Sequence, residues 1–267
     1  DSYGYRPLCI GQNSQGCCVV SESCALGDYK LVRDVKPGEI ILLKNGRWET
    51  IFQMRSVKLQ KCIFEHIYFM KKDTIANGLH TETLRYNLGS KLALEDDTKF
   101  SLEDTIVMAV PRTAIPMAKG YAETRGLEYI QILNKEAKSG RTFIMPSNSE
   151  RLELCNKIFY LRGDIGDKNI ILVDDSLVRG NTIKGIAKLF KKAKSVHIRI
   201  ASPPVIGRCF YGIDIPTEEE LIANEGLEDL DKKLGVSSIK YLTLEGMLSC
   251  FGDGFCTECF TKDYAKW

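Results

Sequence analysis

Residues 169–182 read NIILVDDSLVRGNT, and this stretch decides the fold. Its four consecutive apolar residues, 170–173, predict the central strand of a parallel sheet, because such a strand is buried on both faces. Asp174 and Asp175 follow at the carboxyl end of that strand, which is the edge where open α/β sheets bind their ligands. The stretch therefore predicts both a sheet and the position of its ligand site.

The residues after the two acids indicate a sugar phosphate as the ligand. Gly180 lets the backbone approach closely, and the helix predicted over residues 182–192 presents free N–H groups and a positive dipole end, which suit a phosphate. Two adjacent carboxylates cannot bind a phosphate, but they suit sugar hydroxyl groups or a Mg²⁺ carried by pyrophosphate. Phosphate, vicinal diol and Mg²⁺ together describe phosphoribosyl pyrophosphate (PRPP). The alternative is an acidic turn that caps a helix, and acidic turns alone are common.

Strands and helices alternate on both sides of this stretch. Apolar runs and their periodicity predict further strands over residues 104–110, 128–133 and 195–201. They predict longer helices over residues 81–94, 116–125 and 150–159, and shorter ones over 218–223 and 227–234. This order favours a mostly parallel, Rossmann-like α/β sheet covered on both faces.

The first part of the chain has a different pattern. Short strands are expected over residues 17–21, 39–44 and 47–52, with Asn45-Gly46 as a hairpin turn between the last two. The apolar and aromatic run at 63–70 also reads as a strand. We therefore predict two domains, an antiparallel, β-rich one over residues 1–59 and an α/β one over residues 60–267.

Composition excludes several classes of partner. The 267 residues include 37 Lys+Arg and 35 Asp+Glu, so charge gives no reason to expect nucleic acid or an anionic membrane. No apolar run reaches the length of a membrane span, and no signal peptide is recognisable. Without a secretion signal, the ten cysteines indicate a reducing cytoplasm, where clustered cysteines bind metals or act in catalysis more often than they form disulfides.

VDDSLVRGNT resembles the PRPP signature of type I phosphoribosyltransferases, and more narrowly that of glutamine PRPP amidotransferase (amidophosphoribosyltransferase). Other blocks that match the family in order are residues 1–8, 21–25, 62–69, 110–123, 140–144, 203–223 and 256–264. The resemblance implies a type I phosphoribosyltransferase domain. It identifies residues 1–59 as the later part of an N-terminal-nucleophile glutaminase domain. It also suggests a homo-oligomer that purine nucleotides inhibit.

The resemblance implies a glycosyltransferase reaction, the first step of de novo purine synthesis. Ammonia, free or derived from glutamine, attacks the anomeric carbon of PRPP, pyrophosphate leaves, and 5-phosphoribosylamine forms. By carry-over, Mg²⁺ is held by Thr113, Asp174 and Asp175, and the two acids also bind the ribose hydroxyls. The 5′-phosphate is assigned to Ser176, Arg179, Gly180, Asn181 and Thr182. Catalytic roles fall to Arg141 and Lys135.

Four cysteines match the iron–sulfur subgroup of this family. Cys256 and Cys259 form a CxxC motif, which alone could be half a metal site, a redox pair or chance. The subgroup places its other two cysteines where this chain has Cys62 and Cys209, so the resemblance implies a 4Fe–4S cluster. Zinc is the alternative, since four thiolates also suit it.

The chain departs from the family pattern in three places. It starts with Asp1 and not with the cysteine nucleophile of the family's glutaminase. Lys135 to Lys138 replace the family's Lys-Asn-Arg-Tyr run, and Arg112 stands where an acid is usual. A PRPP-binding regulatory module without turnover is therefore the alternative function. A phosphoribosyltransferase that uses a base as acceptor is a weaker third.

Overall fold

The computed structural model describes residues 1–55, 58–136, 158–215 and 217–264 of the chain. The chain forms two compact units, one of residues 1–84 and 251–257 and the other of residues 85–250 and 258–267. The sequence-based boundary between residues 59 and 60 separates a glutaminase-derived domain from a transferase domain, and it stays a prediction.

The first unit is β-rich, as predicted. Its strands are β1 (Cys9–Asn13), β2 (Gly16–Val20), β3 (Lys30–Asp34), β4 (Glu39–Lys44), β5 (Arg47–Gln53), β6 (Lys61–Cys62), β7 (Ile75–Ala76) and β8 (Leu79–His80). The antiparallel sheet has the order β2-β1-β3, and β4 and β5 form a hairpin. Asn45 and Gly46 both have positive φ, 51° and 71°, which is the backbone of the expected two-residue turn.

One predicted strand in this part of the chain is wrong. Residues 63–70 contain a π-helix, Glu65–Phe69, in place of a strand. Ile63, Phe64 and Ile67 are fully buried. A short apolar run without alternation fits a buried helix as well as a buried strand, so its periodicity could not distinguish the two.

The second unit is built around a five-stranded parallel sheet. The strands along the chain are β9 (Thr105–Ala109), β10 (Glu128–Tyr129), β11 (Leu133–Lys135), β12 (Phe159–Leu161), β13 (Asn169–Asp174), β14 (Ser195–Ile200), β15 (Ser238–Tyr241) and, in the first unit, β16 (Phe255–Cys256). The sheet order is β10-β9-β13-β14-β15, and every pairing in it is parallel. Its central strand is β13, whose residues 170–173 are fully buried. The predicted parallel sheet and its central strand are confirmed.

Helices flank the sheet. They are α1 (Thr81–Glu95), α2 (Ile115–Arg125), α3 (Asn181–Ala187), α4 (Leu230–Leu234), α5 (Leu244–Leu248) and α6 (Glu258–Thr261), with short 3₁₀ helices at Ser23–Ala25, Lys188–Phe190 and Ile222–Glu225. α1 and α2 pack with their backbones in near contact, because a Cβ on Gly89 would lie 1.8 Å from the Met117 carbonyl oxygen. No helix among the described residues is long and apolar enough to cross a membrane.

The strand predicted over residues 128–133 divides into two short ones. β10 ends at Tyr129, and β11 pairs antiparallel with β12, outside the main sheet. The side-chain amide of Gln131 explains the break. Its Oε1 accepts from the Ala109 N–H at 3.1 Å and its Nε2 donates to the Ala109 carbonyl at 3.1 Å, so a side chain takes the place of a strand.

Two predicted helices also differ from the structure. Of the helix predicted over 150–159, residues 150–157 lie outside the described residues, and Phe159 begins strand β12. The helix predicted over 218–223 is a 3₁₀ turn at Ile222–Glu225 instead.

Candidate functional site

Two buried carboxylates mark the carboxyl end of the central strand. Asp174 ends β13 and Asp175 follows it, with exposed fractions of 8% and 4%. The Asp175 backbone N–H donates to Asp174 Oδ1 at 2.9 Å, and the Ser176 hydroxyl donates to Asp175 Oδ1 at 2.7 Å. The two side chains predicted from sequence to bind the sugar or its metal therefore sit next to each other at the ligand-binding edge of the sheet.

The environment of these two acids favours their neutral forms. Burial, followed by the charge of Asp175, raises the pKa of Asp174 well above its usual range. Burial likewise raises the pKa of Asp175 to about 6, opposed by the hydrogen bond from Ser176 and the charge of Arg85. A cation or hydroxyl donors at this edge would stabilise the ionised forms of both acids, which burial and mutual repulsion disfavour.

Two basic residues act on this pair through their charge. Lys135, on β11, lowers the pKa of Asp174, so the structure brings this predicted catalytic residue near the acids. Arg85, on α1, lowers the pKa of Asp175, and its side chain is itself buried. Sequence reasoning gave Arg85 no role. Arg85 lies three residues before Leu88 and therefore on the apolar side of α1, and a charged residue on that side was the pattern that could have indicated a role.

The loop after the acids has an apolar inner side. Leu177 and Val178 are buried, and Gly180 has a φ of 76° as it enters α3. A Cβ on Gly180 would lie 2.4 Å from Ile222 Cδ1. The absence of a side chain at this glycine, predicted to allow a ligand to approach the backbone, therefore also allows Ile222 to pack against it. Asn181 and Thr182 form the first turn of α3, as the phosphate assignment requires.

The Thr113 loop reaches the same edge from the neighbouring strand. The Val110 N–H donates to the Val173 carbonyl at 2.8 Å, so the chain leaves β9 beside the end of β13. The peptide bond between Pro111 and Arg112 is cis, and Arg112 is exposed. Thr113 comes after β9 and Asp174 ends β13, so both belong to the carboxyl ends of adjacent parallel strands. The predicted catalytic residue Arg141 lies outside the described residues.

The structure places two of the four cysteines predicted to bind a cluster side by side. Cys62 and Cys256 are direct partners on the parallel strands β6 and β16. The Cys259 carbonyl accepts from the N–H groups of residues 206 and 207, at 2.9 and 3.0 Å, close along the chain to Cys209. Among the described residues, no group of three or more His, Cys, Asp or Glu side chains is arranged to hold a metal ion. The four-cysteine set therefore stays a prediction.

The comparisons with known proteins agree with this geometry. The phosphoribosyl transferase domain family matches residues 79–203. The chain is 38% identical over 275 residues to an amidophosphoribosyltransferase of Archaeoglobus fulgidus, covering 99% of this chain and 59% of the relative. It is 40% identical to the human amidophosphoribosyltransferase, covering 95% of this chain and 53% of the relative. The chain thus spans between half and 60% of the length of these relatives.

A solved structure extends the agreement to the fold. The glutamine PRPP amidotransferase from B. subtilis, complexed with ADP and GMP, superposes with a TM-score of 0.86 at 34% identity, over 99% of this chain and 60% of that one. The parallel sheet and this superposition confirm the type I phosphoribosyltransferase fold.

Proposed function

This chain belongs to the amidophosphoribosyltransferase family, and we propose that it carries the phosphoribosyl transfer step of that activity. In this step ammonia, free or derived from glutamine, attacks the anomeric carbon of PRPP, pyrophosphate leaves, and 5-phosphoribosylamine forms as the first intermediate of purine synthesis. The supporting observation is the pair of buried carboxylates, Asp174 and Asp175, at the carboxyl end of the central strand. Buried acids whose pKa values are raised by burial and by a neighbouring charge occur preferentially at functional sites.

The proposed roles follow from charge and position. The transition state gathers positive charge on the ribose while negative charge leaves on pyrophosphate. Asp174 and Asp175 would accept hydrogen bonds from the ribose hydroxyls and, with Thr113, bind Mg²⁺. Bound Mg²⁺ would neutralise charge on the departing pyrophosphate. Ser176 and the first turn of α3 would hold the 5′-phosphate. Lys135 and Arg141 would stabilise the negative charge of the departing pyrophosphate.

The donor set fits Mg²⁺ by its chemistry. This cation prefers oxygen ligands and is commonly held by one or two carboxylates together with the oxygens of its phosphate partner. Burial raises the pKa of both acids although Lys135 and Arg85 lie near enough to oppose it, and a bound cation would stabilise their ionised forms further. Thr113, water and the ligand would supply the other oxygens.

The experiment that tests the proposal is pyrophosphate release from PRPP in the presence of ammonia at high pH, with and without Mg²⁺. We expect release that requires both ammonia and Mg²⁺. Binding of PRPP without any release would favour the regulatory module instead. Release that depends on a purine or pyrimidine base, and not on ammonia, would favour a phosphoribosyltransferase that uses a base as acceptor.

We also propose the 4Fe–4S cluster on Cys62, Cys209, Cys256 and Cys259, with zinc as the alternative. The support is the pairing of Cys62 with Cys256 and the hydrogen bonds that tie the Cys259 backbone to the segment before Cys209. Anaerobic purification followed by iron, sulfide and zinc assays tests it. Iron and sulfide are expected in the wild type and in the control Cys17→Ser, and lost in Cys256→Ser.

Inhibition by purine nucleotides belongs to the same proposal, because the B. subtilis structure is complexed with ADP and GMP. A homo-oligomer, a glutaminase origin of residues 1–59 and a cytoplasmic location complete it. Measuring PRPP turnover with added ADP and GMP tests the inhibition. The mass of the native particle in solution tests the homo-oligomer.

A further inference from the structure

Arg179, in the loop after the two acids, forms an ion pair with a segment distant in sequence. Its Nε donates to Glu220 Oε2, and the exposed fractions of the two side chains are 8% and 33%. Arg179 is therefore nearly removed from water, while Glu220 remains partly open to it. A nearly buried guanidinium depends on such a partner for its orientation.

The same segment supports the loop backbone. The Ile222 N–H donates to the Val178 carbonyl at 2.9 Å, and the Ile222 side chain lies against Gly180. Residues 220 and 222 thus contact three consecutive loop residues, 178 to 180. The neighbouring acids are engaged differently, since Glu218 pairs with Lys262 Nζ at 2.7 Å and Glu219 is exposed.

We propose that Glu220 is a positioning residue that acts through Arg179 on the 5′-phosphate of PRPP. The guanidinium is planar, so a bond at Nε fixes the direction of its two terminal nitrogens, which are the part that binds a phosphate in a bidentate manner. Orienting them before the ligand arrives lowers the entropic cost of binding. This inference rests on the proposed function, because it takes the loop to be the phosphate site.

The test compares ligands that share only one end with PRPP. Calorimetric titrations with Mg²⁺-PRPP, ribose 5-phosphate and pyrophosphate would be run on the wild type, Glu220→Gln and the matched control Glu219→Gln. Glu220→Gln is expected to weaken the binding of PRPP and of ribose 5-phosphate by the same factor, roughly ten-fold, because a neutral amide oxygen replaces the charged acceptor that orients Arg179. Pyrophosphate binding stays unchanged, and Glu219→Gln behaves as the wild type.

Two further variants separate positioning from folding. In Arg179→Lys, which keeps the charge but loses the planar fork, adding Glu220→Gln is expected to weaken PRPP binding no further, since both act through one contact. Glu220→Asp, which keeps the carboxylate, is expected to restore part of the affinity. In turnover, Glu220→Gln raises the KM for PRPP and leaves kcat at saturating PRPP close to wild type.

Three results would overturn the inference. They are unchanged or tighter ribose 5-phosphate binding in Glu220→Gln, an equal loss of pyrophosphate binding, and additive effects in the double variant. If these occur while the wild type binds PRPP, the proposed function stands and only the role of Glu220 fails. A wild type that binds neither PRPP nor ribose 5-phosphate would overturn both.

Discussion

Replacing Asp174 and Asp175 by asparagine should abolish PRPP binding and, at the same time, stabilise the fold. Asparagine keeps the volume of the side chain but removes its charge. At a pH above 7 the buried Asp175 is ionised although its pKa is raised from an ordinary 3.8 to about 6. That difference corresponds to about 3 kcal/mol of destabilisation. The hydrogen bond from the Ser176 hydroxyl lowers this pKa and is already contained in the difference, so the gain from Asp175→Asn alone should be about 3 kcal/mol.

The sign of the pH dependence follows from the direction of the shift. An acid whose pKa is higher in the folded protein favours folding when it is protonated, and that contribution is lost as the pH rises through the folded-state pKa. The advantage of Asp175→Asn should therefore be full above pH 7. It should shrink as the pH falls through 6, and vanish below about 4.

Urea unfolding of the wild type, Asp175→Asn and the double variant at pH 7.5 and pH 4.5, in EDTA to remove divalent ions, measures the first effect. Titration with Mg²⁺-PRPP at pH 7.5 measures the second, with Asp164→Asn as an exposed control. A double variant that still binds PRPP in a Mg²⁺-dependent manner would refute the assignment of the loop. A variant less stable than wild type at pH 7.5 would refute the account of the buried charges.

Three further outcomes are expected from the described residues. Gly180→Ala forces a left-handed backbone and a contact with Ile222, so the free energy of unfolding should fall by about 2–4 kcal/mol, as chemical denaturation would show. Burial, reinforced by a nearby arginine, lowers the pKa of His197 to about 4, so wild-type stability should fall by about 1–2 kcal/mol more than that of His197→Gln between pH 7 and pH 4.5. Asp96→Asn leaves Arg199 buried without its carboxylate and should cost about 3–5 kcal/mol; a loss below 1 kcal/mol would mean that water reaches the pair.

The third of these outcomes depends on a network at the side of the sheet. Burial would raise the pKa of Asp96, but the hydrogen bonds from Arg199 and Tyr121 more than offset it and hold the pKa below its usual range. Both charged side chains of the Arg199–Asp96 pair are fully buried. The ionised carboxylate therefore stabilises the fold above its unfolded-state pKa, and the stability is lost as the pH falls toward the folded-state value.

Sequence alone placed the site because its elements are local. A fully apolar strand, two acids, a glycine and a helix start occur within residues 169–182, and in that order they predict a strand that ends at the ligand-binding edge of a sheet and leads into a helix. The structure kept these elements within one or two residues of the prediction. The hairpin at Asn45 and Gly46 was predictable for the same reason, because a two-residue turn is set by its own backbone preferences.

Only the tertiary structure decided which distant side chains join the site. Arg85 reaches the acids through charge, and Glu220 reaches Arg179 across 41 residues of sequence, contacts that no local pattern encodes. Lys135 was expected at the site only from the family resemblance, and its charge acts on Asp174 in the structure. Packing also overrode the pattern in residues 63–70, where most residues are buried and a helix forms in place of the predicted strand. The stretch 169–182 therefore determined the local elements of the candidate site, because a strand end and a helix start are local features. Folding determined how the site is charged and supported, because electrostatics and packing depend on distance in space.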